Sequence, residues 1–324
     1  ISDGWGNMVS SEPVVTVTTP DDSYDAIGPA GKTVQLRDLT GSGGTTSFAM
    51  VLVTERTDDT EYSAETTGPS SSTVRAVRTG LTQDEVGFEV DDDSACVSGA
   101  CRLLLYVSPQ TYAPGSRYGI SGAPGAKTAG VKFTAYVRAV DPNSNLIENI
   151  DSGRNDFNVA FNVLGNPDAK WDTTPLTLQG GQGERDFILY YATNVSRIAV
   201  STISGPGYNS FVTTQTLIVG SSDFYRLHVV APGETFSPAV QGGAHDGTLF
   251  IGKTGNPAAQ TAGNRFTVDV YGTDRYYNPV STSGVSVAML TADAYDSDPD
   301  DGSLSNGYAS FDITLKTSTE AKTT

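Results

Sequence analysis

One motif recurs three times along this chain, and its spacing restricts the folds that the sequence can adopt. In each occurrence an aspartate is followed four positions later by an asparagine and six positions later by an aliphatic residue. The aspartates are 138 residues apart (3 to 141) and then 133 residues apart (141 to 274). A fixed register of this kind indicates duplicated modules, and it favours an array over a catalyst with one unique site. The motif is formed by the pairs Asp3 and Asn7, Asp141 and Asn145, and Asp274 and Asn278.

A second repeated element precedes two of the three motifs. The sequence Thr-Ala-Gly, followed after two residues by Phe-Thr, occurs at residues 128–134 and again at 261–267. Each lead-in runs into a stretch in which apolar and polar residues alternate, which predicts a half-buried strand. The Asp–Asn motif then follows as a tight turn, because Asp and Asn side chains bond nearby backbone groups there.

The composition predicts an all-β protein. The chain has 35 glycines and 16 prolines, only 18% charged residues, and no sustained helical period. Short alternating runs separated by Gly, Pro and Asn turns are typical of β-sandwiches. Strands are predicted at residues 14–18, 46–53, 61–64, 74–77 and 86–90, then 103–107, 133–140, 157–163, 185–191, 197–200 and 213–219, then 225–230, 266–271, 285–290 and 308–315.

The repeat divides the chain into three modules. The first module, residues 1–95, lacks the strands that should precede its turn and ends in a linker. The second module, residues 96–220, is complete and carries a loop inserted after its first strand. The third module, residues 221–324, has a similar insertion and lacks its last strands. We therefore expect either part of a longer array or a subunit that completes its fold with strands from a neighbour.

The ordered set of lead-in, Asp–Asn motif and final Phe-x-x-x-Leu strand resembles bacterial Ig-like repeat domains, found in invasin-like and other large prokaryotic surface proteins. The resemblance covers nearly the whole chain, in one full module and two partial ones. It implies tandem Ig-like β-sandwich domains, of which the first and last are incomplete. Domains of that family act as stalks, spacers or adhesive modules.

The Asp–Asn motif itself is expected to be structural. Its aspartate can accept turn N–H groups, and its asparagine can take a left-handed backbone at little cost. The three pairs are therefore predicted to shape turns and not to catalyse a reaction.

Two acidic loops are candidate calcium sites. Ca²⁺ takes six to eight oxygen ligands, and closely spaced aspartates on a flexible loop can supply them. A solvated acidic loop without metal is the alternative. The candidate ligands are Asp21, Asp22 and Asp25 in the first module and Asp293, Asp296, Asp298, Asp300 and Asp301 in the third.

The chain has two cysteines, Cys96 and Cys101, with four residues between them. They can close a small-loop disulfide, and two free thiols are the alternative. A zinc site would need four ligands, and the two histidines lie far along the chain. A disulfide would fit an oxidising, extracellular setting.

Several functional classes are disfavoured. The net charge is −17 and the sequence pI is about 4.3, which argues against nucleic acid and against an anionic membrane surface. The sequence contains no run of 18 apolar residues, so we expect no membrane insertion in this segment. No nucleophile motif surrounds a Ser or Cys, so we do not expect an enzyme.

The sequence thus predicts a structural subunit of an extracellular or cell-surface assembly, such as a fibre, filament, sheath or stalk. The expected partners are other molecules of the same chain, end to end and joined by strand complementation. Glycans or other surface proteins are further expected partners. An adhesin or carbohydrate-binding module is the alternative, for which Tyr190-Tyr191 and Tyr276-Tyr277 could each expose one ring. An accessory region of a secreted enzyme is a third hypothesis.

Overall fold

The structure is a computed structural model that describes residues 14–20, 24, 31–35, 50–53, 72–77, 84–88, 101–147, 157–204, 211–240 and 250–318. All regular structure in these residues is β-strand, which confirms the all-β prediction. No helix within them is long and apolar enough to cross a membrane. The turn at Asp3 and Asn7, the candidate ligands Asp21, Asp22 and Asp25, and the strand predicted at 61–64 all lie outside the described residues.

The described strands of the first module form one antiparallel sheet. They are β1 (Val14–Thr18), β2 (Lys32–Gln35), β3 (Ser72–Val77) and β4 (Asp84–Phe88), in the spatial order β2-β1-β3-β4. Val15 and Val17 alternate with polar residues along β1 and are buried, as a period-2 pattern requires. Strand β2 was not predicted. Residues 50–53, the described part of the strand predicted at 46–53, are not a strand.

The described strands of the second module form two main sheets that pack face to face. Its strands are β5 (Arg102–Val107), β6 (Thr111–Tyr112), β7 (Ile120–Ser121), β8 (Lys127–Thr128), β9 (Lys132–Val140), β10 (Phe157–Leu164), β11 (Lys170–Trp171), β12 (Leu176–Leu178), β13 (Gln182–Ile188), β14 (Thr193–Ser204), β15 (Phe211–Thr213) and β16 (Leu217–Gly220). One sheet has the order β11-β13-β9-β5. The other has the order β12-β10-β14-β16-β8, with β15 also paired to β14. The strand predicted at 213–219 is therefore two short strands, β15 and β16.

The core of the second module lies between these sheets and is centred on Phe187. The side chain of Phe187 is fully buried, and its ring packs on Phe133, Phe161 and Trp171 at centroid distances of 6.1, 5.5 and 6.2 Å. Phe133 and Phe187 come from one sheet and Phe161 from the other. Aromatic pairs of this kind each add about 0.5–1.5 kcal/mol beyond the area they bury.

The third module repeats only part of this arrangement. Its strands are β17 (Arg226–Val230), β18 (Glu234–Phe236), β19 (Lys253–Gly255), β20 (Arg265–Thr273), β21 (Ser286–Val287), β22 (Gly302–Ser303) and β23 (Tyr308–Thr314). Strands β17, β20 and β23 form a three-stranded sheet that corresponds to β5, β9 and β13. The strand predicted at 285–290 is reduced to β21. Opposite the sheet, the described residues provide only the short pair β21–β22.

Strand β17 is less well covered than its counterpart β5 in the second module. Arg226 pairs with Thr273 and Arg102 with Val140, so the two strands are in the same register ahead of their Asp–Asn turns. Leu103 and Leu105 on β5 are 0% and 5% exposed, whereas Leu227 and Val229 at the same positions of β17 are 39% and 42% exposed. The inner face of β17 is therefore only partly covered in the described structure.

Candidate functional site

The described Asp–Asn turns are buried hydrogen-bonded units. In the third module, Asp274 and Asn278 are both 0% exposed. One carboxylate oxygen of Asp274 accepts the backbone N–H groups of Tyr276 (2.8 Å) and Asn278 (2.9 Å). The other accepts the Asn278 side-chain amide (2.9 Å) and the N–H of Ser222 (3.0 Å), which precedes β17. A carboxylate removed from water is satisfied here by four donors, as burial requires.

The turn of the second module has the same construction. Asp141 and Asn145 are each 1% exposed. The Asp141 carboxylate accepts the backbone N–H of Asn145 at 2.7 Å and its side-chain amide at 3.1 Å. The motif therefore encodes the same local structure in both described turns.

The role predicted for the asparagines is wrong in both described turns. The residue with left-handed backbone is the one before the asparagine, Ser144 (φ 69°) or Tyr277 (φ 64°). Neither Asn145 nor Asn278 has a left-handed backbone, and the side chain of each makes a contact beyond its turn.

In each described turn the asparagine amide reaches the preceding module. Asn278 donates to the carbonyl oxygen of Tyr190 at 2.7 Å and accepts the N–H of Ala192 at 2.8 Å, both in the second module. Asn145 donates to the carbonyl oxygen of Val53 in the first module at 3.0 Å. The same side chain at the same motif position thus connects consecutive modules twice. We call residues 189–192, which receive Asn278, the junction segment of the second module.

Aromatic packing extends the contact between the second and third modules. The ring of Tyr190 lies 4.9 Å from that of Tyr276 and 5.0 Å from that of Phe250. Tyr276 also lies against the backbone of Gly130, where a Cβ atom would overlap its ring. Gly130 belongs to the Thr-Ala-Gly lead-in, so the two repeated sequence elements meet at this junction. Of the pair Tyr190-Tyr191, Tyr190 is buried at 5% exposure, and Tyr191 is the ring that stays partly exposed.

A polar side chain on a neighbouring loop holds the junction segment in place. The side-chain oxygen of Asn166 accepts the N–H groups of Tyr190 and Tyr191, both at 3.2 Å, and its amide donates to the carbonyl oxygen of Tyr191 at 2.8 Å. These bonds satisfy backbone groups that no strand ladder pairs. The carbonyl oxygen of Tyr190 is not used by Asn166 and accepts the Asn278 side-chain amide.

The acidic loop of the third module supplies the counterpart of Asn166. Asp293 accepts the N–H groups of Lys316 (2.6 Å) and Thr317 (2.7 Å) and the Thr317 hydroxyl (2.6 Å). The hydroxyl and N–H of Thr317 lower the pKa of the Asp293 carboxyl well below its usual range. We call residues 315–318 the junction segment of the third module.

The candidate calcium ligands of this loop are not brought together. Asp296 accepts the hydroxyl of Thr291 and Asp298 accepts its N–H, so each bonds its own loop. Among the described residues no group of three or more His, Cys, Asp or Glu side chains could hold a metal ion. The positions of Asp293, Asp296, Asp298, Asp300 and Asp301 therefore do not fit a calcium site.

The first strand and the inserted loop of the second and third modules each contact the Asp–Asn turn of that module. In the second module Arg102 donates to the Ser144 hydroxyl at 2.6 Å, and the Tyr112 hydroxyl donates to the Ser144 carbonyl at 2.8 Å. In the third, Arg226 donates to the Tyr277 hydroxyl at 2.7 Å, and the backbone of Gly252 lies directly against the Tyr277 ring. The insertions at 109–127 and 232–260 thus contribute to fixing the left-handed residue of each turn.

The cysteines lie at the boundary between the first and second modules. Cys101 is 1% exposed and disulfide-bonded. The chain's only other cysteine is Cys96, which lies outside the described residues. The bond would link the end of the linker to the start of β5.

The comparisons with known proteins add little at the level of residues. No known protein family matches the chain, and no curated protein matches it. Among solved structures the chain is similar to FdeC, an Escherichia coli adhesin, with a TM-score of 0.29 and 14% identity over 97% of this chain and 81% of that chain.

Sequence reasoning missed the residues that receive the turn: Gly130, Asn166, Tyr190 and Ala192. Tyr190 and Ala192 bond Asn278, which lies 88 and 86 residues later along the chain, so no local pattern reveals these contacts. The available signal was the lead-in glycine, which recurs with the motif although it lies outside the turn.

Replacing Gly130 with alanine should weaken the junction, whereas the same change at Gly263 should not. Both glycines have left-handed backbone, with φ of 78° and 82°, so both substitutions carry a similar strain of about 1–2 kcal/mol. Only at Gly130 would the methyl group overlap Tyr276, for an added cost of about 1–3 kcal/mol. Calorimetry and amide exchange at Ala192, at micromolar concentration, measure the difference. Equal losses in the two variants would show that the contact contributes nothing.

Replacing Asp293 with alanine should accelerate amide hydrogen exchange at Lys316 and Thr317, because both N–H groups lose their acceptor. An Asp301→Ala variant, changed at an exposed position of the same loop, should leave both amides unaffected. The depressed pKa also sets the pH dependence. The contact is fully present above the usual Asp pKa of about 3.9 and is lost only as pH falls through the lower folded-state value. Loss of wild-type protection already near pH 5 would contradict this.

Proposed function

We propose that this chain is a structural segment of an extracellular surface assembly, such as a fibre, filament, sheath or stalk, whose Ig-like modules are locked end to end. The observation that carries the proposal is the repeated use of one side chain. Asn145 and Asn278 each donate across a junction to a carbonyl of the preceding module. A contact repeated at corresponding positions supports a regular series of modules.

The geometry of the junction favours a mechanical role. Asp274 and Asn278 are completely buried, and their hydrogen-bonding groups are used within the turn and across the junction. Buried, fully paired polar groups rigidify a structure and specify one arrangement. The aspartates of the motif are occupied in the same way, so we propose a role without catalysis.

Strand complementation remains part of this proposal. The partly exposed inner face of β17, with Leu227 and Val229, is a surface that an added strand would cover. The proposed partner is another molecule of the same chain at the cell surface.

A second candidate function, carbohydrate binding, is favoured by one aromatic face of the third module. Tyr271 stacks on Phe236 at 4.2 Å and lies 5.3 Å from Tyr308, whose hydroxyl donates to Asp269 at 2.7 Å. Rings beside a carboxylate are suited to sugars. Glycan-array binding that is lost in Tyr308→Ala but kept in Tyr295→Ala, an exposed tyrosine on the acidic loop, would support this function.

Electron microscopy of the native material tests the structural proposal. The resolution must be sufficient to trace the chain from one module to the next. We expect modules joined end to end with a constant spacing. Each Asp–Asn turn should contact the preceding module. Separate molecules whose modules adopt variable orientations would contradict the proposal.

A further inference from the structure

The junction segment of the third module reproduces that of the second, but in the described part of the chain nothing is seated on it. The N–H of Gly263 donates to the carbonyl of Leu315 at 2.7 Å, as that of Gly130 donates to Leu189 at 2.8 Å. Tyr190 is buried, whereas Lys316 at the same position is exposed. The two segments therefore share a backbone arrangement, but among the described residues only the segment of the second module is covered by a following module.

The lead-in glycines show the same contrast. A Cβ atom on Gly130 would overlap the Tyr276 ring, whereas one on Gly263 would meet no atom of the described residues within 4 Å. Both glycines have nearly the same positive φ. The backbone at Gly263 is thus open where the equivalent backbone at Gly130, one module earlier, is covered by the Tyr276 ring.

The uncovered segment is already held in its receiving conformation. Asp293 binds Lys316 and Thr317 through two N–H groups and a hydroxyl, as Asn166 binds Tyr190 and Tyr191. A binding site ordered in advance loses less entropy when it is occupied.

We propose that this segment binds the Asp–Asn turn of a second molecule of the chain, the one that begins at Asp3 and ends at Asn7. The inference rests on the proposed end-to-end function and names the contact that would join the molecules. The two described turns, at Asp141 and Asp274, each bond the preceding module, so the segment 315–318 presents the kind of surface that such a turn takes.

The sequence of the first turn fits the segment. Trp5 occupies the motif position of Tyr276, where the second module's turn has the exposed, non-aromatic Asn143. An indole ring at that position would cover Gly263. Lys316 replaces Tyr190, so its ammonium group is placed to lie over the indole in a cation–π contact.

Asn7 completes the match. By analogy with Asn278, its amide would donate to the carbonyl of Lys316 and accept the N–H of Ser318. Each molecule carries a net charge of −17, so the molecules repel one another at low ionic strength. Association should therefore strengthen as salt is added.

Sedimentation velocity of the full chain, up to about 1 mM, tests the proposal, because weaker contacts would not build an assembly. We expect a concentration-dependent series of dimers and longer species, since a head-to-tail contact does not close on itself. Trp5→Ala should reduce association at least tenfold, and Tyr24→Ala, an exposed tyrosine elsewhere in the first module, should not.

A matched pair of glycine variants tests the receiving surface. Gly263→Asn should abolish association, because asparagine tolerates a left-handed backbone while its side chain fills the patch. Gly284→Asn is the control, since Gly284 has φ of 76° and open space around it in the same module. Equal melting temperatures for the two variants would exclude unfolding as the cause.

Two results would overturn the proposal. One is a chain that stays monomeric at every concentration, which would leave the segment to a turn on the same polypeptide. The other is equal association of the Gly263→Asn and Gly284→Asn variants. Neither bears on the end-to-end joining of modules within one molecule, which is the part of the proposed function that the turns at Asp141 and Asp274 support. A monomer with rigid junctions would keep the function and reject only this inference.

Discussion

Replacing Asp274 with alanine is expected to release the turn of the third module and to cause a large loss of local stability. The amides of Tyr276, Asn278 and Ser222 all lose their acceptor, as does the Asn278 side chain. Hydrogen bonds to a charged acceptor are worth more than neutral ones, and buried donors without an acceptor carry a penalty. We expect the free energy of opening to fall by about 3 kcal/mol, which is roughly a hundredfold faster exchange.

Amide hydrogen exchange at Tyr276, Asn278 and Ser222 measures this directly, without assuming that the multi-module chain unfolds in two states. Asp300→Ala is the control, since Asp300 is exposed on the acidic loop and its loss should cost less than about 0.5 kcal/mol. Unchanged protection in Asp274→Ala would show that the buried carboxylate does not hold the turn.

Replacing Asn278 with alanine is expected to weaken the second module at a position 86 residues upstream. The N–H of Ala192 loses its acceptor and the carbonyl of Tyr190 its donor, although neither residue is changed. Two buried polar groups left unpaired should cost about 2 kcal/mol at the junction, or roughly thirtyfold faster exchange of the Ala192 amide.

Asn278→Asp should be more damaging than alanine. It removes the donor to Tyr190 and places a second carboxylate beside Asp274 in a site that is 0% exposed. The control is Asn162→Ala, an exposed asparagine on β10, which should leave Ala192 unchanged. If Ala192 exchanges at the wild-type rate in Asn278→Ala, the asparagine does not join the modules.

Much of the sheet structure could be predicted because it depends on local patterns. The alternation in β5, β9, β20 and β23 located these strands within a few residues, and Asp with Asn four residues later located the turns. The limits appear where strands are short. The run at 285–290 has only Ser286–Val287 in a strand, because the described residues offer it only the short partner β22.

The function of the site could not be predicted in the same way. The asparagine of each motif was assigned to backbone shape, yet its partners lie in the preceding module. Asp293 was assigned to calcium because it stands among aspartates, whereas it binds backbone groups of residues 316 and 317, more than 20 positions later. Spacing along the chain reports on neighbours in sequence, and these contacts join residues that only the fold brings together.

Small-angle X-ray scattering of a double variant tests most directly whether the asparagine of each described Asp–Asn turn locks its module to the preceding one. Wild-type chain and the Asn145→Ala/Asn278→Ala variant would be compared at low micromolar concentration, with Asn162→Ala as control. We predict that the wild type and the control scatter as one rigid particle and that the double variant gives the broadened distance distribution of modules that move independently. Superimposable curves for all three proteins would contradict the account.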